Sequence, residues 1–174
     1  MLRIIAFILL PFIFTFGKAF VLLFHQIDIN ESTQLAFWIA FISSGILMLW
    51  KLKPTSFFAT FEHELTHNFW AFFTLHKTRS FSVKSNGEGA VEFEGKGNFM
   101  ITLSPYFFPT FSIVLLPFRD LLKEAFLMPY FIVFGIVLAY HTVTSIKETH
   151  SGQSDLKRNG LFFSYALIIL GNII

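Results

Sequence analysis

The sequence predicts an all-α membrane protein of about six transmembrane helices with one short β-hairpin after the third. Three observations lead there. Charged residues make up 14% of the 174 positions and hydrophobic ones 54%, against about 25% charged in an average soluble domain. Mean hydropathy is +0.63, and Phe alone fills 26 positions, an aromatic load that a small water-facing surface does not tolerate. The apolar residues also gather in long runs, while one stretch in mid-chain alternates instead.

Taken in order, Ile4 to Phe24 is the first run. It is long enough to span the membrane and is read as a span rather than a cleaved leader, since no small-residue cleavage site follows. Lys18 sits in its last third, from where its stem can carry the ammonium to the interface. His25 to Gln34 is a polar linker. Leu35 to Trp50 is the second run, closed by Trp50 and Lys51, an aromatic and a cation at a membrane edge. Pro54 is expected before or at the start of the third helix, with Thr55 or Ser56 as its cap. That helix, Phe57 to Leu75, is rich in Phe yet carries Glu62, His63, Glu64, His67 and Asn68 at its centre.

From Arg79 to Gly97 the period changes. Phe81, Val83 and the stretch Ala90 to Glu94 alternate around Asn86-Gly87-Glu88-Gly89, which predicts a β-hairpin. Asn98 to Phe118 is apolar again and is interrupted by Ser104, Pro105, Pro109 and Pro117. Arg119 to Glu124 is a charged turn, Phe126 to Ile146 the next span, Lys147 to Gly160 a polar segment, and Leu161 to Ile174 a final run short enough to require tilt or local thinning of the bilayer. The whole reads as one membrane-embedded domain over residues 1–174, with accessory helices in 1–53 and the chemistry in 55–174.

A net charge of +2 gives no basic surface for nucleic acid. With no cysteine there is no disulfide framework and no thiolate ligand, so any metal is held by nitrogen and oxygen.

The third helix contains His63-Glu64-Leu65-Thr66-His67. Four residues along an α-helix advance about 6 Å and overshoot one turn by about 40°. His63 and His67 therefore share a face and stack closely enough to bind one metal ion. Glu64 lies about 100° further round, where a general base can take the proton of a water activated by that ion. Two imidazoles and one more protein ligand, with a fourth position open, suit zinc. Each ionisable group costs at least about 2.5 kcal/mol to place at the middle of a membrane helix, so the cluster predicts metal catalysis over an accidental match. The candidates for the third ligand are Asp155, His150, His141 and Glu148. Asp155 is preferred because it precedes the last apolar run, where a carboxylate can reach into the bundle from a helix mouth; His150, five residues earlier, is its closest rival.

The chain resembles the site-2 protease family of intramembrane zinc metalloproteases over roughly residues 55–170. His63, Glu64 and His67 match its H-E-x-x-H motif, the segment from Arg79 to Gly97 matches its β element in position, and Asp155 matches its third ligand in order along the chain. The family's Leu-Asp-Gly is replaced here by Ser154-Asp155-Leu156, its Asn-x-x-Pro lead is missing, and so is a PDZ-like insertion. The resemblance implies one Zn²⁺ bound by His63, His67 and Asp155. It also implies Glu64 as general base, a membrane-embedded protein or peptide as substrate, and a multi-pass protein of a bacterial inner membrane.

Two further assignments concern the substrate. Ser104 and Tyr106, beside prolines that free backbone groups within a span, are expected to line a groove or a water entry. Val91 and Phe93 are expected to hold an unwound substrate by β-augmentation on the hairpin edge. Placing Lys77 to Lys96 and Lys147 to Arg158 in the cytoplasm collects 7 of the 13 Lys and Arg there, as the positive-inside rule favours. The alternatives from other classes are a metal or proton relay in transport through His63, Glu64 and His67, and a non-cleaving scaffold.

Overall fold

The computed structural model describes residues 1–53 and 56–174. Pro54 and Thr55, expected to break and cap the entry to the third helix, lie outside the described residues. The chain is mostly helical with one two-stranded sheet.

Helix α1 (Leu2–Phe24) and helix α2 (Ser32–Lys51) open the chain. Glu31 caps α2 by accepting the amides of Thr33 and Gln34. The Thr33 hydroxyl and those two amides hold the Glu31 carboxyl below its ordinary range. At the other end, Lys51 lies over the Trp50 ring, 3.9 Å from its centroid. Within α1, Lys18 lies 4.3 Å from the ring centroid of Phe14.

The motif helix is α3 (Phe57–Phe73). Ser56 is its cap, accepting from the Ala59 amide at 3.3 Å. Strands β1 (Thr78–Val83) and β2 (Gly89–Phe93) follow as an antiparallel hairpin, with Phe81 opposite Val91 and Val83 opposite Gly89. The expected turn holds, except that Gly89 belongs to β2.

Asn98 caps α4 (Phe99–Leu103) through the Ile101 amide. A 3-10 turn at Ser104–Tyr106 and the helix α5 (Thr110–Leu115) come next, and the chain bends by 85° between the two arms. Pro105 and Pro109 stand at the bend, where each removes an amide donor. The Tyr106 carbonyl within the bend is met by Asn172 Nδ2 at 2.9 Å and by the Ser145 hydroxyl. Irregular backbone at membrane depth is tolerated on that condition.

Helix α6 (Leu127–Glu148) packs along α2. Gly135 makes this close: a Cβ there would lie 2.6 Å from the Phe37 carbonyl oxygen. Lys147 Nζ donates to the Met48 and Leu52 carbonyls at 3.1 and 2.6 Å, closing the C-terminal end of α2. Helix α7 (Ser154–Asn159) lies within the segment expected to be polar linker, and α8 (Leu161–Ile173) ends the chain.

Among the described residues α1, α2 and the stretch Glu124–Glu148 are long and apolar enough to cross a membrane, and the bent pair Phe99–Tyr106 with Thr110–Leu121 is a fourth candidate. The expected count was about six. The difference rests on α3, whose 17 residues carry the polar motif, and on α8, whose 13 residues fall short of the hydrocarbon thickness.

Burial runs opposite to that of a soluble protein. Phe7, Phe14, Ile46 and Trp50 are exposed, whereas Glu62, Thr66, Ser104, His141 and Ser164 are buried. A surface of this kind belongs in lipid. The apolar core proper joins α1, α4, α7 and α8 through Ala6, Leu103, Tyr106, Leu156 and Phe163.

Candidate metal centre

The i, i+4 spacing does what helix geometry requires. The rings of His63 and His67 lie 4.7 Å apart, centroid to centroid, on one face of α3. Asp155 comes to them from the second residue of α7. That short helix is pinned behind them: Leu156 is fully buried in the core, and Asn159 Nδ2 donates to Thr102 Oγ1 at 2.7 Å and to the Asp155 carbonyl at 2.9 Å. With its neighbour Leu156 facing the core, Asp155 faces α3.

Asp155 Oδ2 lies 3.8 Å from His63 Nε2 and 3.7 Å from His67 Nε2. One ligand atom from each of the three residues falls within 4.8 Å of the others. Tetrahedral zinc with bonds of about 2.0–2.2 Å separates its ligand atoms by about 3.3–3.6 Å, so the three residues fit such an ion after small movements. Burial pushes the Asp155 carboxyl up, and the two facing imidazoles, when they carry a proton on Nε2, more than reverse this and hold it well below the usual carboxylate range.

The far nitrogens of both rings are committed. His63 Nδ1 is 2.8 Å from Glu148 Oε2, and His67 Nδ1 is 2.6 Å from the Ile101 carbonyl oxygen. A carboxylate and a carbonyl only accept, so both Nδ1 atoms donate. In the neutral rings both Nε2 atoms then carry lone pairs directed at Asp155.

A cavity of about 650 Å³ opens on this cluster. His63, Glu64, His67 and Asp155 line it together with Ala90, Val91, Glu92 and Phe93 of β2 and with Arg79 and Arg158. The hairpin is fastened to the motif helix, since Thr60 Oγ1 donates to the Gly87 carbonyl at 2.9 Å. Gly89 lies directly on Glu64: a Cβ there would come within 2.6 Å of Glu64 Cγ and 2.5 Å of Thr60 Cγ2. The alternation that predicted the hairpin thus also brings Val91 and Phe93 to the cavity, with no strand on their free edge among the described residues.

Ser104 and Tyr106 are corrected. Both are fully buried, at 0% exposure, and neither lines the cavity. The 85° bend turns them behind the histidines instead of into an entry. Ser104 Oγ donates to the Ile101 carbonyl. The Tyr106 ring packs edge-on against His63, with centroids 5.3 Å apart, and its hydroxyl donates to Asp155 Oδ2 at 3.2 Å. Tyr106 therefore steadies the cluster rather than a substrate.

The rivals to Asp155 stand apart from it. His150 is exposed in a turn, where its Nδ1 accepts from the Gly152 amide. His141 is buried in α6 and is not among the grouped ligand atoms. Glu148 reaches His63 on the side facing away from Asp155.

Sequence reasoning gave Glu148 only as a possible ligand and did not anticipate the Ile101 carbonyl. A carboxylate in the last turn of a long apolar helix was a usable signal for the first. The signal for the second was Pro105, which stands four residues after Ile101 and brings no amide to its carbonyl, leaving it open to His67.

No curated protein and no solved structure matches the chain. Residues 32–152, which include His63, Glu64 and His67 and stop short of Asp155, match the Peptidase M50B-like family. That match covers well over half of the molecule, and the chain therefore belongs to the Peptidase M50B-like family, membrane peptidases of the site-2 protease kind.

Proposed function

We propose that this protein is a zinc-dependent intramembrane endopeptidase that hydrolyses peptide bonds within or near transmembrane segments of other proteins in a bacterial inner membrane. His63, His67 and Asp155 hold the ion, and Glu64 is the general base. One observation carries the reading: the Nε2 atoms of both rings and a carboxylate oxygen of Asp155 face a common point, and each ring is held from behind at its Nδ1. Two neutral imidazoles and a carboxylate directed at one point are the donor set that zinc takes, with a further position left for water.

Zinc held there supplies a water acid enough to lose its proton near neutral pH and an electrophile for the carbonyl under attack. The protein does the rest. Glu64 takes the proton of the attacking water and returns it to the leaving amine. Val91 and Phe93 present the free edge of β2 to an unwound stretch of substrate, whose backbone must leave its own helix before a peptide bond is accessible. Tyr106 and Ile101 keep the ligands in place. Domain organisation follows the same division, with α1 and α2 accessory and the chemistry in the remainder.

The test is a reporter with one membrane span, mixed with the purified protein in liposomes after metal analysis. About one zinc per chain and cleavage inside the span are expected. Full zinc occupancy with no cut across a broad panel of spans would return the site to the relay reading.

Gly89→Ala is expected to leave zinc content unchanged while lowering cleavage on the order of 10²-fold, since an added Cβ displaces Glu64 and a misplacement of about 1 Å carries a loss of that size. Cleavage at the wild-type rate would show that Glu64 is not seated by the hairpin.

A further inference from the structure

The two candidate histidine ligands are held in different ways. His67 donates to a main-chain carbonyl, that of Ile101. His63 donates to a side chain, the Glu148 carboxylate, 85 residues further along the chain. Glu148 is itself buried, in the last turn of α6, and a carboxylate is costly to keep there unless it does something the fold needs. It does not join the candidate ligands. Asp155 meets the Nε2 atoms of both rings, whereas Glu148 meets the opposite nitrogen of one ring.

We infer that Glu148 is a positioning residue for His63. By accepting from Nδ1 it fixes the tautomer that leaves Nε2 free, sets the rotation of the ring toward Asp155, and makes the imidazole a stronger donor to a metal. The role rests on the zinc reading above and deepens it, and it distinguishes the two histidines: a point substitution can remove the support of His63, while that of His67 is main chain.

The experiment uses the full chain in detergent. Zinc affinity is measured by competition with a chromophoric chelator, and the nitrogen chemical shifts of the His63 ring are recorded without metal. Glu148→Ala is expected to weaken zinc binding roughly 10- to 100-fold. Glu148→Gln, which retains an accepting oxygen, is expected to lose less. The metal-free spectrum should show a protonated Nδ1 in the wild type and in Glu148→Gln, and a mixture of tautomers in Glu148→Ala. Glu148→Leu fills the volume without accepting a hydrogen bond, so it replaces the alanine variant if that one fails to fold. Affinity within twofold of wild type in the Ala or Leu variant overturns the role, as does a Gln variant no better than Ala. A wild type that binds no zinc overturns this inference together with the proposed function. A wild type that binds zinc beside an unaffected Glu148→Ala overturns this inference alone.

Discussion

Glu64→Gln should retain zinc at the wild-type level and lose cleavage by a factor on the order of 10³. Gln keeps the length of Glu and one accepting oxygen, so the close fit beneath Gly89 and Thr60 changes little. The three candidate ligand atoms belong to other residues and remain in place. What disappears is a group that accepts a proton at neutral pH: the attacking water keeps its proton and the leaving amine receives none. Initial rates on a single-span reporter, taken at equal zinc loading, measure the effect. Equal rates for variant and wild type would remove Glu64 as the base, and zinc lost from the variant would make it a ligand instead.

Asp155→Ala should release the metal, and His150→Ala should not. An entire structural zinc site is worth roughly 10–16 kcal/mol of binding free energy, so one protein ligand among three accounts for about 3 kcal/mol or more, a loss in affinity on the order of 10²-fold. The Tyr106 hydroxyl would lose its acceptor as well. His150, exposed in its turn, has none of these connections. Dialysis against a weak chelator followed by metal analysis separates the two. Zinc retained by Asp155→Ala and lost from His150→Ala would reverse the assignment and leave the enzyme class intact.

The parts of the site that lie within one helical turn were legible in the sequence. His63, Glu64 and His67 follow from a period of 3.6 residues. The hairpin follows from a period of two around a glycine-containing turn. Asp155 was reached by its place in the chain, before the last apolar run, and the structure gives the reason it arrives: Leu156 is apolar and anchors α7 in the core. The relations invisible in the sequence join residues that are far apart. Glu148 and His63 meet across 85 positions, Tyr106 and Asp155 across 49. The prolines near Tyr106 marked a break correctly, but a break has no sign: the same residues permit a turn toward the cavity or away from it. The packing of Tyr106 among Leu103, Leu156 and Phe163 turns it away. The count of spans was similarly open, because hydropathy measures a run of residues without revealing a bend of 85° inside it.

Lys147 and Glu148 are neighbours on α6 that reach in opposite directions. Lys147 holds the carbonyls at the end of α2, and Glu148 holds His63. The last turn of α6 is thus a shared bracket, bolted on one side to the end of α2 and on the other to the ring of His63. The bearing of that ring is referenced to α2 as well as to the helix it grows from. A helix without a single candidate ligand accordingly belongs to the frame that orients one of them.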